Sequence, residues 1–432
     1  MPRTDCSNAS QPDTALKSYQ EWLNLRDNEG MSTAKILRGR VVTNEEVIDD
    51  GAIIFDDTIM AVGPATQVLD ADQLKETPAT DNYLLPGLVD VHCHGGGGES
   101  FPNAETTEAA MVAVTEHRRH GTTTLVASGV TAAADVLRAR ARTLTELCKQ
   151  GELAGIHFEG PFVSHERCGA QDPTYIVDPD PELTAELMEL CEGYCVTMTV
   201  APEKPLAYGD GSVAEVLIDA GALPSWGHTD AGPEHVREAL RYSRKKLAET
   251  SNARCPHVTA THLFNGMRTI HHRDPGPVPE FLADSANDGV IVELIADGVH
   301  VALDMVRAVY EALGRERIVF VTDAMAAAGM PDGSYQLGPQ AVTVADGVAR
   351  LTHGQSIAGG TSHLLDQIRG LVSAGHIGIV DATYMASAQG AKILGRSDVG
   401  TLTVGGRADV LETDSQLRPL QVFRGGELVA DN

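Results

Sequence analysis

The sequence predicts an α/β fold: a (β/α)₈ TIM-like barrel with a small β-sandwich domain built from both chain ends. Three observations carry this. Eight short apolar runs alternate with longer polar-apolar segments through the middle of the chain. The first and last stretches share a strand-and-turn texture, and the residues best suited to chemistry stand at the ends of the apolar runs. Strand-then-helix repeated eight times is the pattern of a closed parallel barrel, with the open doubly wound sheet as the competing architecture.

The runs are Leu84–Val91, Thr122–Ser128, Leu153–Phe158, Tyr194–Val200, Leu223–Gly227, Val258–His262, Gly289–Ala296 and Arg317–Thr322. Segments such as Ala132–Lys149 and Pro233–Ala248 lie between them and supply the covering helices. At the chain ends, Ile36 to Gly63 alternates β-like runs with Asn, Asp and Gly turns, and Gly400 to Leu428 repeats that texture. Two such segments join into one small domain when the middle closes as a unit, because termini often lie close together. The expected division is 83–397 for the barrel, 33–82 with 398–432 for the β domain, and 1–32 as a disordered extension. That extension is polar and lacks the apolar core of a signal peptide. Met31, just ahead of the patterned Ile36-Leu37-Arg38-Gly39, is a candidate start.

Composition narrows the function. Hydrophobic residues make up 42% of the 432 and aromatics only 4%, so the core is built from Val, Leu, Ile and Ala, as suits a parallel sheet covered by helices. A formal net charge of −27 argues against nucleic acid and an anionic membrane face. It also repels an anionic substrate at long range, so a phosphorylated one needs local cations to hold it. Seven scattered cysteines do not read as a disulfide framework and suit a reducing cytoplasm. No apolar run reaches the ~18–20 residues that span a bilayer.

A barrel enzyme keeps its chemistry at the C-terminal ends of its strands. His92 and His94 follow the first run, Glu159 the third; His228 ends the fifth, His262 the sixth and Asp323 the eighth. In an extended strand residues i and i+2 face one side, so His92 and His94 can address one ion, and Gly95–Gly98 leaves room beside them. Each residue alone has an ordinary reading: a hydrogen-bonded core histidine, a structural salt bridge for Glu159, a helix N-cap for Asp323. Their joint placement favours a metal centre, since imidazole and carboxylate are the ligands of catalytic zinc.

The motifs LLPGLVDVHCHGGGG, GIHFEGPF, WGHTDA, THLFNGM, HHRDPG, IADGVH, VTDAM and IAGG resemble, in this order, those of the N-acetylglucosamine-6-phosphate deacetylases of the amidohydrolase superfamily. The resemblance runs from about Ile36 to the C-terminus. It implies a metal-dependent barrel hydrolase that releases acetate from N-acetyl-D-glucosamine 6-phosphate, leaving D-glucosamine 6-phosphate, in amino-sugar catabolism and cell-wall sugar recycling. It implies that Glu159, His228 and His262 hold the core metal, most simply zinc, and that His92 and His94 leave room for a second ion with Glu159 bridging. The strand-four lysine of other amidohydrolases is missing from Val196–Pro202, in keeping with a bridging glutamate. For the substrate it implies Asn265, Gly266, Arg273 and His300 around the phosphate, with Arg273 reaching across a homodimer interface, and Ile357, Ala358 and Gly359 at the sugar. The family's Gly-Ala-His reads Gly169-Ala170-Gln171 here, so Ala170 and Gln171 would meet the sugar without a charge; the segment Ala386–Ala391 is altered too.

The implied mechanism uses Asp323 twice: as the base that takes a proton from the attacking water, and as the acid that returns it to the departing amine. Cys168, nine residues after Glu159, falls on a loop read as a lid, where neighbouring Arg167 is expected to lower its pKa. The rival readings are a dihydroorotase-like or deaminase-like amidohydrolase and a non-catalytic barrel scaffold.

Overall fold

The computed structural model describes residues 34–432, so the expected extension over 1–32 lies outside the described residues. The barrel strands are β1 (Leu88–Cys93), β2 (Thr122–Val130), β3 (Gly155–Glu159), β4 (Cys195–Val200), β5 (Leu223–Trp226), β6 (Thr259–Ala260), β7 (Ile291–Leu294) and β8 (Ile318–Phe320). They form one eight-stranded sheet in sequential order, and every neighbouring pair is parallel. Helices follow the strands: α1 (Thr107–Arg119), α2 (Ala134–Lys149), α3 (Pro181–Leu190), α4 (Val213–Asp219), α5 (Pro233–Glu249), α6 (Val278–Ser285), α7 (Leu303–Leu313) and α8 (Leu364–Ser373). The eight expected strands are all present, with shifted ends. Every residue of β1 to β4 is buried, as strands covered on both faces require.

The ring closes beyond the strands proper. At the mouth, Asp323 N donates to the His92 carbonyl at 2.9 Å and His94 N to the Ala324 carbonyl at 2.7 Å. Lower down, Val89 N donates to the Ala386 carbonyl at 2.9 Å, and Gly390 packs so tightly on Val89 that a Cβ would lie 2.8 Å from its carbonyl oxygen.

The run Leu84–Val91 is two strands rather than one. Tyr83–Pro86 belongs to the small domain and β1 to the barrel. They part at Gly87, where a Cβ would lie 2.1 Å from Thr123 Oγ1 and 2.7 Å from Asp409 Cβ. Only glycine lets the backbone through there.

The chain ends pair as expected, in a single sheet. Its seven strands run Glu427–Asp431, Pro419–Arg424, Val410–Thr413, Tyr83–Pro86, Lys35–Val42, Val47–Phe55 and Ile59–Pro64 in spatial order. Phe55 and Phe423 stand on strands four places apart in that order, yet their ring centroids are 5.1 Å apart, edge to face. The sandwich is thus one sheet folded over itself around Val41, Ile53, Leu84 and Val410. An element absent from the sequence reading is a three-stranded antiparallel sheet, Gly333–Leu337, Gln340–Ala345 and Val348–Leu351, between β8 and α8. Its apolar side packs with Val130, Met325 and Ala358 at the barrel mouth. Among the described residues no helix is long and apolar enough to cross a membrane.

Candidate active site at the barrel mouth

The residues expected to carry chemistry do converge. His92, His94, Glu159, His228, His262 and Asp323 all lie at the C-terminal ends of β1, β3, β5, β6 and β8, and all are buried. Three of them hold left-handed backbone: φ is 45° at His228, 26° at His262 and 46° at Asp323. Each costs ~1–3 kcal/mol for such a residue, a cost that persists where the surroundings over-determine the conformation. Asp323 caps no helix, since the next helix begins only at Leu364.

Glu159 sits at the centre. Its Oε1 lies 2.9 Å from His228 Nε2 and 2.8 Å from His262 Nε2, and these two nitrogens are 3.1 Å apart. Its Oε2 lies 3.1 Å from His94 Nε2. His94 Nε2 is in turn 3.2 Å from His92 Nε2 and 3.1 Å from Asp323 Oδ1. Two ligand groups therefore share one carboxylate: Glu159 with His228 and His262, and Glu159 with His92, His94 and Asp323.

The tautomers decide what these groups want. His228 Nδ1 donates to the Arg167 carbonyl at 2.8 Å and His94 Nδ1 to the Ser128 carbonyl at 3.2 Å; a carbonyl only accepts. His92 Nδ1 lies 3.0 Å from the Glu293 carboxylate. Neutral imidazoles so committed present Nε2 lone pairs to one another and to carboxylate oxygens. Acceptors facing acceptors in a buried site require cations between them. Ligand bonds of ~2.0–2.1 Å to a tetrahedral ion give edges of ~3.3–3.4 Å, close to the separations around His94. The residues fit divalent metal.

With no cation, protons must fill the role. Burial pulls the His94 pKa down, but Asp323 and Glu159 outweigh it and raise it to about 10. The same carboxylate raises His228 against its burial. Burial pushes Asp323 up, yet the His94 hydrogen bond and the nearby imidazoles hold it down to about 2.

Above this floor lies a cavity of about 230 Å³. Ala170, Gln171, Asn265, Gly266, His300, Ile357 and Gly359 line it, as the sequence led one to expect. Gly266 has φ 58° and is pressed against His228, where a Cβ would lie 2.6 Å from Nδ1. His300 Nδ1 donates to Asp297 at 2.8 Å, and this contact raises its pKa against the pull of burial, which favours the charged form beside the cavity.

Two expectations change, Ala358 at the sugar and the lowered Cys168 thiol, while Arg273 and Gln171 have partners of their own. Ala358 is fully buried against the hairpin sheet and does not line the cavity. Arg273 is exposed, bonds His272 Nε2 at 2.7 Å, and stays outside the cavity of its own chain. Gln171 is occupied: Thr131 N donates to its Oε1 at 2.7 Å, and its Nε2 donates to Glu159 Oε2. Finally, the Cys168 thiol is raised by burial rather than lowered, because the Arg167 guanidinium is spent on Asp230 at 2.7 Å.

Sequence reasoning missed several supports. Asp90 accepts from Thr322 and is pushed up to about 6 by burial; it braces β8 against β1. Leu337 and Ser356 of the hairpin insertion add a wall to the cavity. Glu293 stands behind His92. The only signal for the two acids was a carboxylate inside an otherwise apolar strand.

The amidohydrolase family model matches residues 83–429. The chain belongs to the amidohydrolase family. Among curated relatives of this amidohydrolase, an N-acetylglucosamine-6-phosphate deacetylase of Bacillus subtilis is 33% identical, over 89% of this chain and 94% of that one. An N-acetylgalactosamine-6-phosphate deacetylase of Escherichia coli O157:H7 is 30% identical, over 91% of this chain and 99% of that one. Among solved structures, a variant N-acetyl-D-glucosamine-6-phosphate deacetylase of Mycobacterium smegmatis, in complex with N-acetyl-D-glucosamine-6-phosphate, superposes with a TM-score of 0.82 at 35% identity. That match covers 92% of this amidohydrolase and all of that chain.

Proposed function

We propose that this amidohydrolase removes the acetyl group of N-acetyl-D-glucosamine 6-phosphate by metal-dependent hydrolysis, in the cytoplasm and as a homodimer. The observation that carries the reading is the convergence of four imidazoles, Glu159 and Asp323 under a cavity that His300 also lines, in a chain similar over most of its length to deacetylases of that name. The rival non-catalytic scaffold leaves that convergence without a purpose.

When bound, a divalent cation, zinc by its fit to histidine and carboxylate, polarises the acetyl carbonyl and acidifies the attacking water. The chain does the rest. Asp323, ionised and beside His94, takes the water's proton and hands it to the sugar nitrogen as the C–N bond breaks. His300, Asn265 and Gly266 hold the phosphate, Ile357 and Gly359 face the sugar, and the segment carrying Cys168, Ala170 and Gln171 lies over the site as a lid. Acetate release by the metal-loaded enzyme, measured on N-acetylglucosamine 6-phosphate, its galactose epimer and the unphosphorylated sugar, tests the assignment. Preference for the unphosphorylated sugar, or release from none, overturns it.

Arg273 is read as a phosphate ligand for the neighbouring subunit. Arg273→Ala is then expected to lower kcat/KM on the phosphorylated sugar by roughly 10–100-fold, the worth of a charge-assisted contact, while barely touching the free sugar. Mixing it with Asp323→Asn chains should restore activity in hybrid dimers. Equal losses on both sugars, or hybrids without activity, refute the shared site.

His92 and His94 are read as completing a second ion position. Replacing both with Asn is expected to lower bound metal from two equivalents towards one, and to slow turnover without ending it. Metal analysis beside steady-state rates checks this; loss of all metal would mean that the two positions form only as a unit.

A further inference from the structure

We infer that Glu293 is the positioning residue that makes the second ion position: it fixes His92 with Nε2 towards Glu159 and Asp323, and it holds the turn that carries His262. This rests on the two-ion reading above.

Glu293 lies in the middle of β7 with 1% of its surface exposed. A carboxylate there is costly unless something offsets its charge. No Lys or Arg bonds it among the described residues; its one ionisable partner is His92, whose Nδ1 is 3.0 Å from Oε2. The same Oε2 accepts the His262 backbone N–H at 3.2 Å, and the Glu293 carbonyl accepts Leu263 N–H at 2.8 Å. One residue thus grips the left-handed His262 from two sides and the His92 ring from behind.

The chemistry follows from the hydrogen positions. A carboxylate accepts, so His92 keeps its proton on Nδ1 and its lone pair on Nε2. That nitrogen points at His94 Nε2, 3.2 Å away, and at Asp323 Oδ1, 3.5 Å away. A carboxylate behind a ligating histidine makes it a stronger donor and fixes its ring. His94 and His228 have only neutral carbonyls behind them, and His262 Nδ1 has no partner at all among the described residues. The one charged brace in the cluster belongs to the position that depends on His92.

Two variants separate charge from orientation. In Glu293→Gln the amide oxygen can still accept both N–H groups, so the geometry stays and the charge goes. In Glu293→Ala both go. Chelated protein refilled with zinc under equilibrium dialysis reads each equivalent separately. Wild type is expected to take two. Glu293→Gln is expected to weaken the second by ~10-fold and Glu293→Ala by ~100-fold, the span seen when a ligand's supporting partner is lost, with the first equivalent little changed in Glu293→Gln. The melting temperature of metal-free Glu293→Gln should match that of metal-free wild type, which a merely structural role would not allow. Two equivalents bound equally well by wild type and both variants overturn the role of Glu293. A single equivalent in wild type overturns the two-ion reading itself.

Discussion

Asp323→Asn is expected to lower kcat by ~10²–10⁴-fold while leaving the fold and substrate binding nearly intact. The substitution keeps the shape and removes the proton transfer proposed for this residue. In the native site Asp323 Oδ1 is 3.1 Å from His94 Nε2 and 3.5 Å from His92 Nε2, at the end of β8 under the cavity. Imidazoles hold its pKa down to about 2 against the upward push of burial, so it is ionised across the neutral range and free to accept a proton. An amide cannot accept and return one. The backbone bond from residue 323 to His92 is unaffected by the change, so melting should shift little. Steady-state kinetics, calorimetric binding of substrate and a thermal melt together decide the matter. Turnover within tenfold of wild type by this variant removes Asp323 from its role.

Metal removal has the second large effect. Chelated enzyme is expected to be inactive, to regain activity on refilling, and to melt roughly 10 °C lower, since an ion held at a thousand times its Kd stabilises by ~4 kcal/mol and a chain this large responds by ~2–4 °C per kcal/mol. The pH dependence has a fixed sign. Without metal, protons on His94, raised to about 10, stand where the ions go at neutral pH, and His228 is raised in the same direction. Loading expels them, and affinity therefore increases as pH rises through neutrality and weakens as it falls. Calorimetry in buffers of different ionisation enthalpy counts the released protons. A Kd that ignores pH between 6 and 8 would contradict the proton-for-metal exchange.

Much of this was legible because the candidate ligands follow apolar runs: His228 and His262 each stand two residues beyond the strand that positions them. The limits were physical too. Gly87 interrupts nothing in hydrophobicity, yet it divides Leu84–Val91 between two sheets, because the reason lies in Thr123 and Asp409, far away in sequence. Glu293 and Asp90 went unread in the sequence, because only the closed ring reveals what faces them. Gln171 was read as a sugar contact from its place in a motif; its bonds to Thr131 and Glu159 depend on how a loop folds back. The expected lowering of the Cys168 thiol failed for a similar reason: adjacency to Arg167 said nothing of Asp230, which comes from another loop.

The joint between the last strand and the first has a consequence for endurance. At the mouth that joint is made by His92, His94, Asp323 and Ala324, and lower down by Val89 with Ala386 and Gly390. A ring fastened through the backbone of the residues proposed to carry its chemistry disarms whenever the fastening breathes. Such local opening takes less free energy than melting the whole molecule. Heat should therefore silence this enzyme at temperatures where its helices are still intact, and its working half-life is set at that fastening rather than in the bulk of the core. Longer life at high temperature is to be sought around Ala386 and Gly390, where the fastening can be tightened without touching the residues that react.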